Sequence, residues 1–244
     1  MNLLVDADIL VFRMCHAHEK TIDWGDGVVS TQMEPHIAKS RLAHMVRKYA
    51  KDNKCESVTM CFTSRKNFRY NVYPEYKANR VFERKQLFPI LLDWMESRYN
   101  CLRMDMLEAD DVMGIMATKE PGEHIIATID KDLLQIPGKH YNWMHDKKTT
   151  INLHKADRLF YTQIMAGDPT DNYFGIKGVG PVKAKKVLDE TPKHERWPTI
   201  LKLFKSKGYT EEYALQMARV ARICRAEDYN FETKEPILWT PKES

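Results

Sequence analysis

The sequence predicts an α/β protein built on a parallel sheet, followed by a smaller helical part. Three observations carry this. Short apolar runs, NLLVD at 2–6, SVTMCF at 57–62 and HIIATI at 124–129, read as buried strands. Between them lie longer stretches whose apolar residues recur at helical spacing, the alternation expected of a parallel sheet covered by helices. After about residue 152 the helical period dominates and only GIKGVGP at 175–181 interrupts it.

Taken in order, residues 2–6 form a strand ending at Asp6, and residues 9–19 a helix. Thr21–Ser30 reads as a hairpin with Gly25-Asp26-Gly27 at its turn. Residues 34–52 are a helix carrying Ile37, Leu42, Met45, Val46 and Tyr49 on its apolar positions. The second strand is 57–62, then come a helix at 87–98, a strand at 101–104, a helix at 109–118 and a strand at 124–129. We place one domain at 1–155 and a helical module at 156–244. No Pro/Gly/Ser linker divides them and no internal repeat is present.

Composition removes several classes of function. Of 244 residues, 43% are apolar and 30% charged, a globular balance rather than a disordered one. Lys and Arg number 38 against 34 Asp and Glu, so the chain is not a polybasic nucleic-acid glue. MNLLVDAD lacks the basic start and apolar run of a signal peptide. No stretch approaches the roughly 18 apolar residues of a membrane helix. Five scattered cysteines without a C-x-x-C pair read as reduced thiols, and the expected location is the cytoplasm. Cys15-His16-Ala17-His18 lacks the second pair a zinc corner needs and reads as an ordinary helix.

Four acidic clusters carry the chemistry: Asp6 with Asp8, Glu108 with Asp110 and Asp111, Asp130 with Asp132, and Asp168 with Asp171. Each alone has a bland reading as a helix start or turn. At least three, however, fall at strand ends or at the helix starts that follow, and a parallel sheet gathers such positions along one edge. Carboxylates crowded there repel unless cations neutralise them. All-oxygen donors suit Mg²⁺ or Mn²⁺, and two such ions roughly 4 Å apart favour in-line phosphodiester hydrolysis.

Residues 64–85 hold seven Lys or Arg against two Glu, a local +5 in a chain of +4. Arg65, Lys66, Arg69, Lys77, Arg80, Arg84 and Lys85 alternate with Phe68, Tyr70, Tyr73, Tyr76 and Phe82. Cations that track phosphates and rings that stack on bases make a single-strand contact surface. The bland alternative is a solvated loop with its rings tucked into the body. GIKGVGPVKAKKVL has the cadence of a helix–hairpin–helix, set at 173–190. Gly178 and Gly180 permit a tight turn, Pro181 opens the next helix, and Lys183, Lys185 and Lys186 charge it, a grouping suited to backbone phosphates.

In that order VDAD, YKANR, LEADDVMG, TIDKDLLQI, GDPTDN and GIKGVGPVKA resemble the flap endonuclease family of 5′ nucleases, and most of all the small 5′→3′ exonucleases of tailed phages. The resemblance implies a PIN-like nuclease domain with a duplex-gripping helical module and two divalent ions, Mg²⁺ or Mn²⁺. It implies Asp6, Glu108 and Asp110 at the first ion, Asp130 between the two, and Asp132 and Asp171 at the second. Asp111 and Asp168 become further ligands or water holders. Lys77 and Arg80 contact the scissile phosphate beneath a helical arch, with Arg69 nearby on DNA and Tyr76 stacked on the terminal base. A monovalent cation such as K⁺ often accompanies the hairpin module. The implied partner is DNA with a 5′ end or flap, met by a monomer during phage replication, alongside replication proteins. Many relatives carry an aspartate where this chain has Thr63 and Ser64, and Asp8 is placed to compensate. The rival readings are a PIN-type ribonuclease and a DNA-binding protein of the same fold with an impaired metal site.

Overall fold

Side chains alternate between two cores along the first strand, β1 (Asn2–Asp6). Leu3 and Val5 enter one core and Leu4 another, all fully buried, because successive strand side chains point to opposite faces. A computed structural model describes residues 1–81 and 85–241. In it β1 pairs in parallel with β4 (Ser57–Phe62) and with β6 (His124–Ala127). β5 (Asn100–Arg103) adds in parallel to β4, and β7 (Gly138–Asn142) to β6. The sheet order is β5-β4-β1-β6-β7-β8, where β8 (Lys147–Ile151) closes one edge antiparallel. Outside this sheet, β2 (Glu19–Asp23) and β3 (Val29–Met33) form the hairpin expected around Gly25-Asp26-Gly27.

Helices cover both faces, which is why the central strands read as unbroken apolar runs. On one side α1 (Ala7–His18), α2 (Pro35–Asp52) and α4 (Leu87–Glu96) bury Leu10, Leu42 and Leu91 against Leu3, Val5, Met60 and Phe62. Each such side chain contributes about 1.5–3 kcal/mol by leaving water. On the other side α5 (Ala109–Lys119) sets Val112, Met113 and Ile115 against Leu4, Cys61 and Ile126. Ile223, Cys224 and Tyr229 return from the far end of the chain to join this second core. Their approach is close enough that a Cβ on Gly114 would meet the Cys224 carbonyl oxygen at 2.3 Å.

The third core lies among α6 (Leu153–Ala166), α7 (Pro181–Asp189), α8 (Arg196–Ser206) and α9 (Glu211–Ala221). Phe160, Ile164, Ile200, Phe204 and Met217 fill it, and Tyr76 reaches into it from the basic segment. That segment holds α3 (Phe68–Val72) and then a run of turns to residue 80; Phe82 and Arg84 lie outside the described residues. The part described is thus a five-residue helix and turns rather than a long helical arch. Among the described residues no helix is long and apolar enough to cross a membrane.

Candidate active site

Carboxylates collect where the parallel strands end. Asp6 closes β1 and caps α1, its Oδ1 accepting from the Ile9 amide at 3.2 Å. Thr128, just past β6, donates its hydroxyl to Asp6 Oδ2 at 2.9 Å and accepts the Asp130 amide at 3.0 Å. The Asp132 amide in turn donates to Asp130 Oδ1 at 2.8 Å. Asp8, in the first turn of α1, accepts the Thr63 amide from the end of β4 at 2.8 Å. Asp110 stands in the first turn of α5.

These groups perturb one another. Burial pushes the Asp6 carboxyl up to about 7, reinforced by Asp8 and Asp130 against the Ile9 and Thr128 hydrogen bonds. Asp110 is raised well above the usual range by burial and then by Asp6, Asp130 and Glu108. Burial raises Asp132 to about 6, and Asp130, Asp168 and Asp171 add to it. Asp8 is raised by burial as well. Among the described residues no three of these side chains are already closed into a ligand set. Asp132 Oδ1 is nevertheless buried without a hydrogen-bond partner. A buried carboxylate oxygen with no donor, facing other carboxylates, fits a hard divalent cation.

The neighbouring acids are already paired with cations. Glu108 Oε1 receives Lys77 Nζ at 2.5 Å, and Asp171 is ion-paired with Arg80 and lies 3.7 Å from Lys77 Nζ. The Tyr76 hydroxyl lies 2.9 Å from Glu108 Oε2 and 3.1 Å from Asp171 Oδ2. It bridges the start of α5 to the 169–171 turn. Asp168 caps that turn, accepting the Thr170 amide at 2.8 Å.

A family model described as "5′-3′ exonuclease, N-terminal resolvase-like domain" matches residues 1–162. The chain belongs to this family. It is 29% identical to the exodeoxyribonuclease of Enterobacteria phage T3, over 98% of this chain and 93% of that protein. It is also 29% identical to the exonuclease of Escherichia phage T7, over the same shares. The match to DNA polymerase I of Rhizobium leguminosarum is 31% identical and spans 77% of this chain but 20% of that one. Among solved structures, the T5 5′-exonuclease with bound divalent zinc shares the fold at a TM-score of 0.66 and 17% identity, covering 91% of this chain and 93% of that one. The family is one of 5′→3′ nucleases, and this chain is a member with an α/β body of the same kind.

Three expected site residues of this family member sit elsewhere than the sequence suggested. Asp111 is fully buried and both its oxygens are taken. Arg69 reaches it with two nitrogens at 2.6 and 2.8 Å, and the amides of Cys224 and Glu108 donate to it at 2.9 and 3.1 Å. The Arg69 charge and these hydrogen bonds hold its carboxyl below the ordinary range in spite of burial. It is a structural anion, not a metal ligand. Arg69 is correspondingly not a DNA contact; it also donates to the Val220 and Arg222 carbonyls and ties α3 to the C-terminal segment. Tyr76 is 3% exposed, so it does not offer a face to a terminal base.

The other candidates keep positions that leave the chemistry open. Asp6, Asp110, Asp130 and Asp132 lie together, with Glu108 and Asp171 linked through Tyr76. Lys183, Lys185 and Lys186 are exposed on α7, whose N-cap is Gly180. Gly178 takes φ +79°, the left-handed conformation glycine enters most easily, whereas Gly180 at φ −83° does not need it. Two residues were missed as functional supports. Thr128 orients Asp6 and Asp130, and its signal was a hydroxyl at a strand end two residues before an aspartate. Thr63 holds Asp8 through its amide and accepts the Ala109 amide on its hydroxyl at 3.1 Å, so it links two acidic helix starts.

Proposed function

We propose that this family member hydrolyses phosphodiester bonds at DNA 5′ ends or flaps with two divalent ions, Mg²⁺ or Mn²⁺. The observation that carries the reading is the gathering of Asp6, Asp110 and Asp132 around Asp130 at one sheet edge, tied by the Thr128 and Asp130 hydrogen bonds, with Asp130 among the charges that raise each of the three. Asp6, Glu108 and Asp110 would hold one ion, Asp132 and Asp171 the other, and Asp130 both, with Asp8 and Asp168 beside them. Such ions supply a water of lowered pKa and stabilise the attacking and leaving oxygens. Thr128 and Thr63 keep the acidic side chains aimed. Lys77 and Arg80 exchange their carboxylate partners for the scissile phosphate and stabilise charge there.

The surface of α7, with Lys183, Lys185 and Lys186 behind the Gly178 turn, binds the duplex backbone without reading sequence. The helix–hairpin–helix at 173–190 and a K⁺ held by its carbonyls belong to this same reading. DNA as substrate is supported by the names of the phage relatives and by a T5 flap endonuclease solved with DNA and metal ions, alike in fold at a TM-score of 0.65 and 16% identity over 91% of this chain and 89% of that one. Primer removal or DNA degradation in phage replication, in the host cytoplasm, follows as the role. The test is a 5′-labelled duplex titrated with Mg²⁺, with a matched RNA strand and the Asp130→Asn variant alongside. Cleavage surviving excess EDTA, or unchanged in the variant, overturns the proposal; preference for RNA would turn it to a ribonuclease.

A further inference from the structure

Two turns face each other beside the carboxylates. One spans 75–80 and carries Lys77 and Arg80; the other spans 168–172 and carries Asp168 and Asp171. Lys77 and Asn172 both sit in the left-handed region, at φ +57° and +55°. Residues other than glycine enter it against steric resistance, so the surroundings must hold them there.

Three hydrogen bonds do so, and all cross from one turn to the other. The Lys77 amide donates to the Asp171 carbonyl at 2.8 Å. Asn79 Nδ2 donates to the Pro169 carbonyl at 3.0 Å, and Asn172 Nδ2 to the Glu75 carbonyl at 2.7 Å. Each asparagine therefore reaches from its own turn to the backbone of the other. Both acceptors are carbonyl oxygens, so only the amide nitrogen satisfies the geometry.

We infer that Asn79 and Asn172 are positioning residues: they staple the 75–80 turn to the 168–172 turn and so fix where Lys77 and Arg80 are delivered. The inference rests on the nuclease reading of Lys77 and Arg80. Those two side chains now lie on Glu108 and Asp171, and they must change partners when a phosphate arrives. The asparagine bonds involve no group that changes partner. They keep the backbone in place through the exchange, and a small misplacement of a charge at a reacting centre is expensive in rate.

The test is single-turnover cleavage of a 5′-labelled duplex by the full chain with Mg²⁺, with DNA affinity measured separately in Ca²⁺. Asn79→Ala removes one amide, and Asn172→Gly removes the other while keeping the left-handed turn. Each should slow cleavage about tenfold with less than about a twofold change in DNA affinity. Asn79→Asp and Asn172→Asp, which keep shape and lose the donor, should behave alike. In a Lys77→Ala background the asparagine changes should cost less than in the parent, because the part of their effect that acts through Lys77 is already lost. Melting temperatures in EDTA should stay near the parent value. Asparagine variants that cleave at the parent rate, or whose defect multiplies in full with Lys77→Ala, overturn the staple. A Lys77→Ala protein as fast as the parent would instead overturn the reading beneath it.

Discussion

Asp110 and Asp111 are adjacent in one helical turn, yet their carboxyls move in opposite directions, the first up and the second down. Burial penalises both. The difference is in what faces them. Asp111 meets a buried guanidinium and two backbone amides, whereas Asp110 meets Asp6, Asp130 and Glu108. The acidic region thus has two halves. In one, Arg69, Lys77 and Arg80 neutralise Asp111, Glu108 and Asp171. In the other, buried Asp6 and half-buried Asp110 and Asp132 gather around Asp130, and desolvation with the neighbouring carboxylates is what dominates them. The protein's own cations balance the first half, whereas the second is the part that the proposed divalent ions would neutralise.

The largest effect should come from the uncompensated half. Asp110→Asn or Asp130→Asn should cut cleavage by at least about 10³-fold, the scale of losing a principal electrostatic contact at a phosphoryl centre. The folded state should be as stable or more so in EDTA, since a repelling charge has gone. An active-site assay paired with urea melts reads both, and a variant that cleaves normally breaks the comparison.

The compensated half should respond in stability. Asp111→Asn strands the Arg69 charge in the interior, an expected cost of about 3–5 kcal/mol in urea unfolding. Replacing both partners, Arg69→Met with Asp111→Leu, should recover only part of that loss: the stranded charge is gone, but the Cys224 and Glu108 amides and the Val220 and Arg222 carbonyls lose their partners. If the double variant is as unstable as the single, the pair does more than hold two segments together.

A pH series separates the halves without mutation. Asp6 and Asp132 hold protons in the folded state up to about 7 and about 6, against an ordinary 3.8. Between those values the folded chain binds more protons than the unfolded one, so the metal-free protein should lose stability as pH rises from about 4 to about 7. Asp111, held low, contributes above the ordinary carboxyl range and is lost as pH falls below it. Melting in EDTA should therefore peak near pH 4–5, and Mg²⁺ should raise the melting temperature more at pH 8 than at pH 5. An equal Mg²⁺ shift at both would mean that these carboxylates do not receive the ion.

Much of this was legible in the chain because buried parallel strands and helix periods are local signals. NLLVD, SVTMCF and HIIATI became β1, β4 and β6, and the acids at their ends converged as the sheet required. The antiparallel edge was not legible: β7 and β8 carry GKHYN and KKTTI, half-polar runs with no apolar face to mark them. Nor does composition say which member of a charge run turns inward. Arg69 follows Phe68 in a short helix packed on α9, and only its distant partners Asp111, Val220 and Arg222 reveal its role. Glu108 and Asp111 do share a face at a spacing of three, as the sequence implied, but that face closes the helix start: the Glu108 amide donates to Asp111. For Asp111 the bland reading, a helix start, therefore holds.

The smallest expected effect lies on the basic surface, and it extends the comparison from paired acids to unpaired bases. Lys183 and Lys185 are exposed on α7, unlike Arg69, which the sequence grouped with them as a DNA contact. Exposed lysines that track phosphates act by releasing counterions, so each alanine substitution should weaken duplex binding modestly and reduce the salt slope by about one. Cleavage at saturating DNA should not change, because the chemistry lies with the carboxylates. Anisotropy titrations in Ca²⁺ across a range of KCl give the slope directly. A slope unchanged by both substitutions would place the duplex on another face of the molecule while leaving the acidic site where it is.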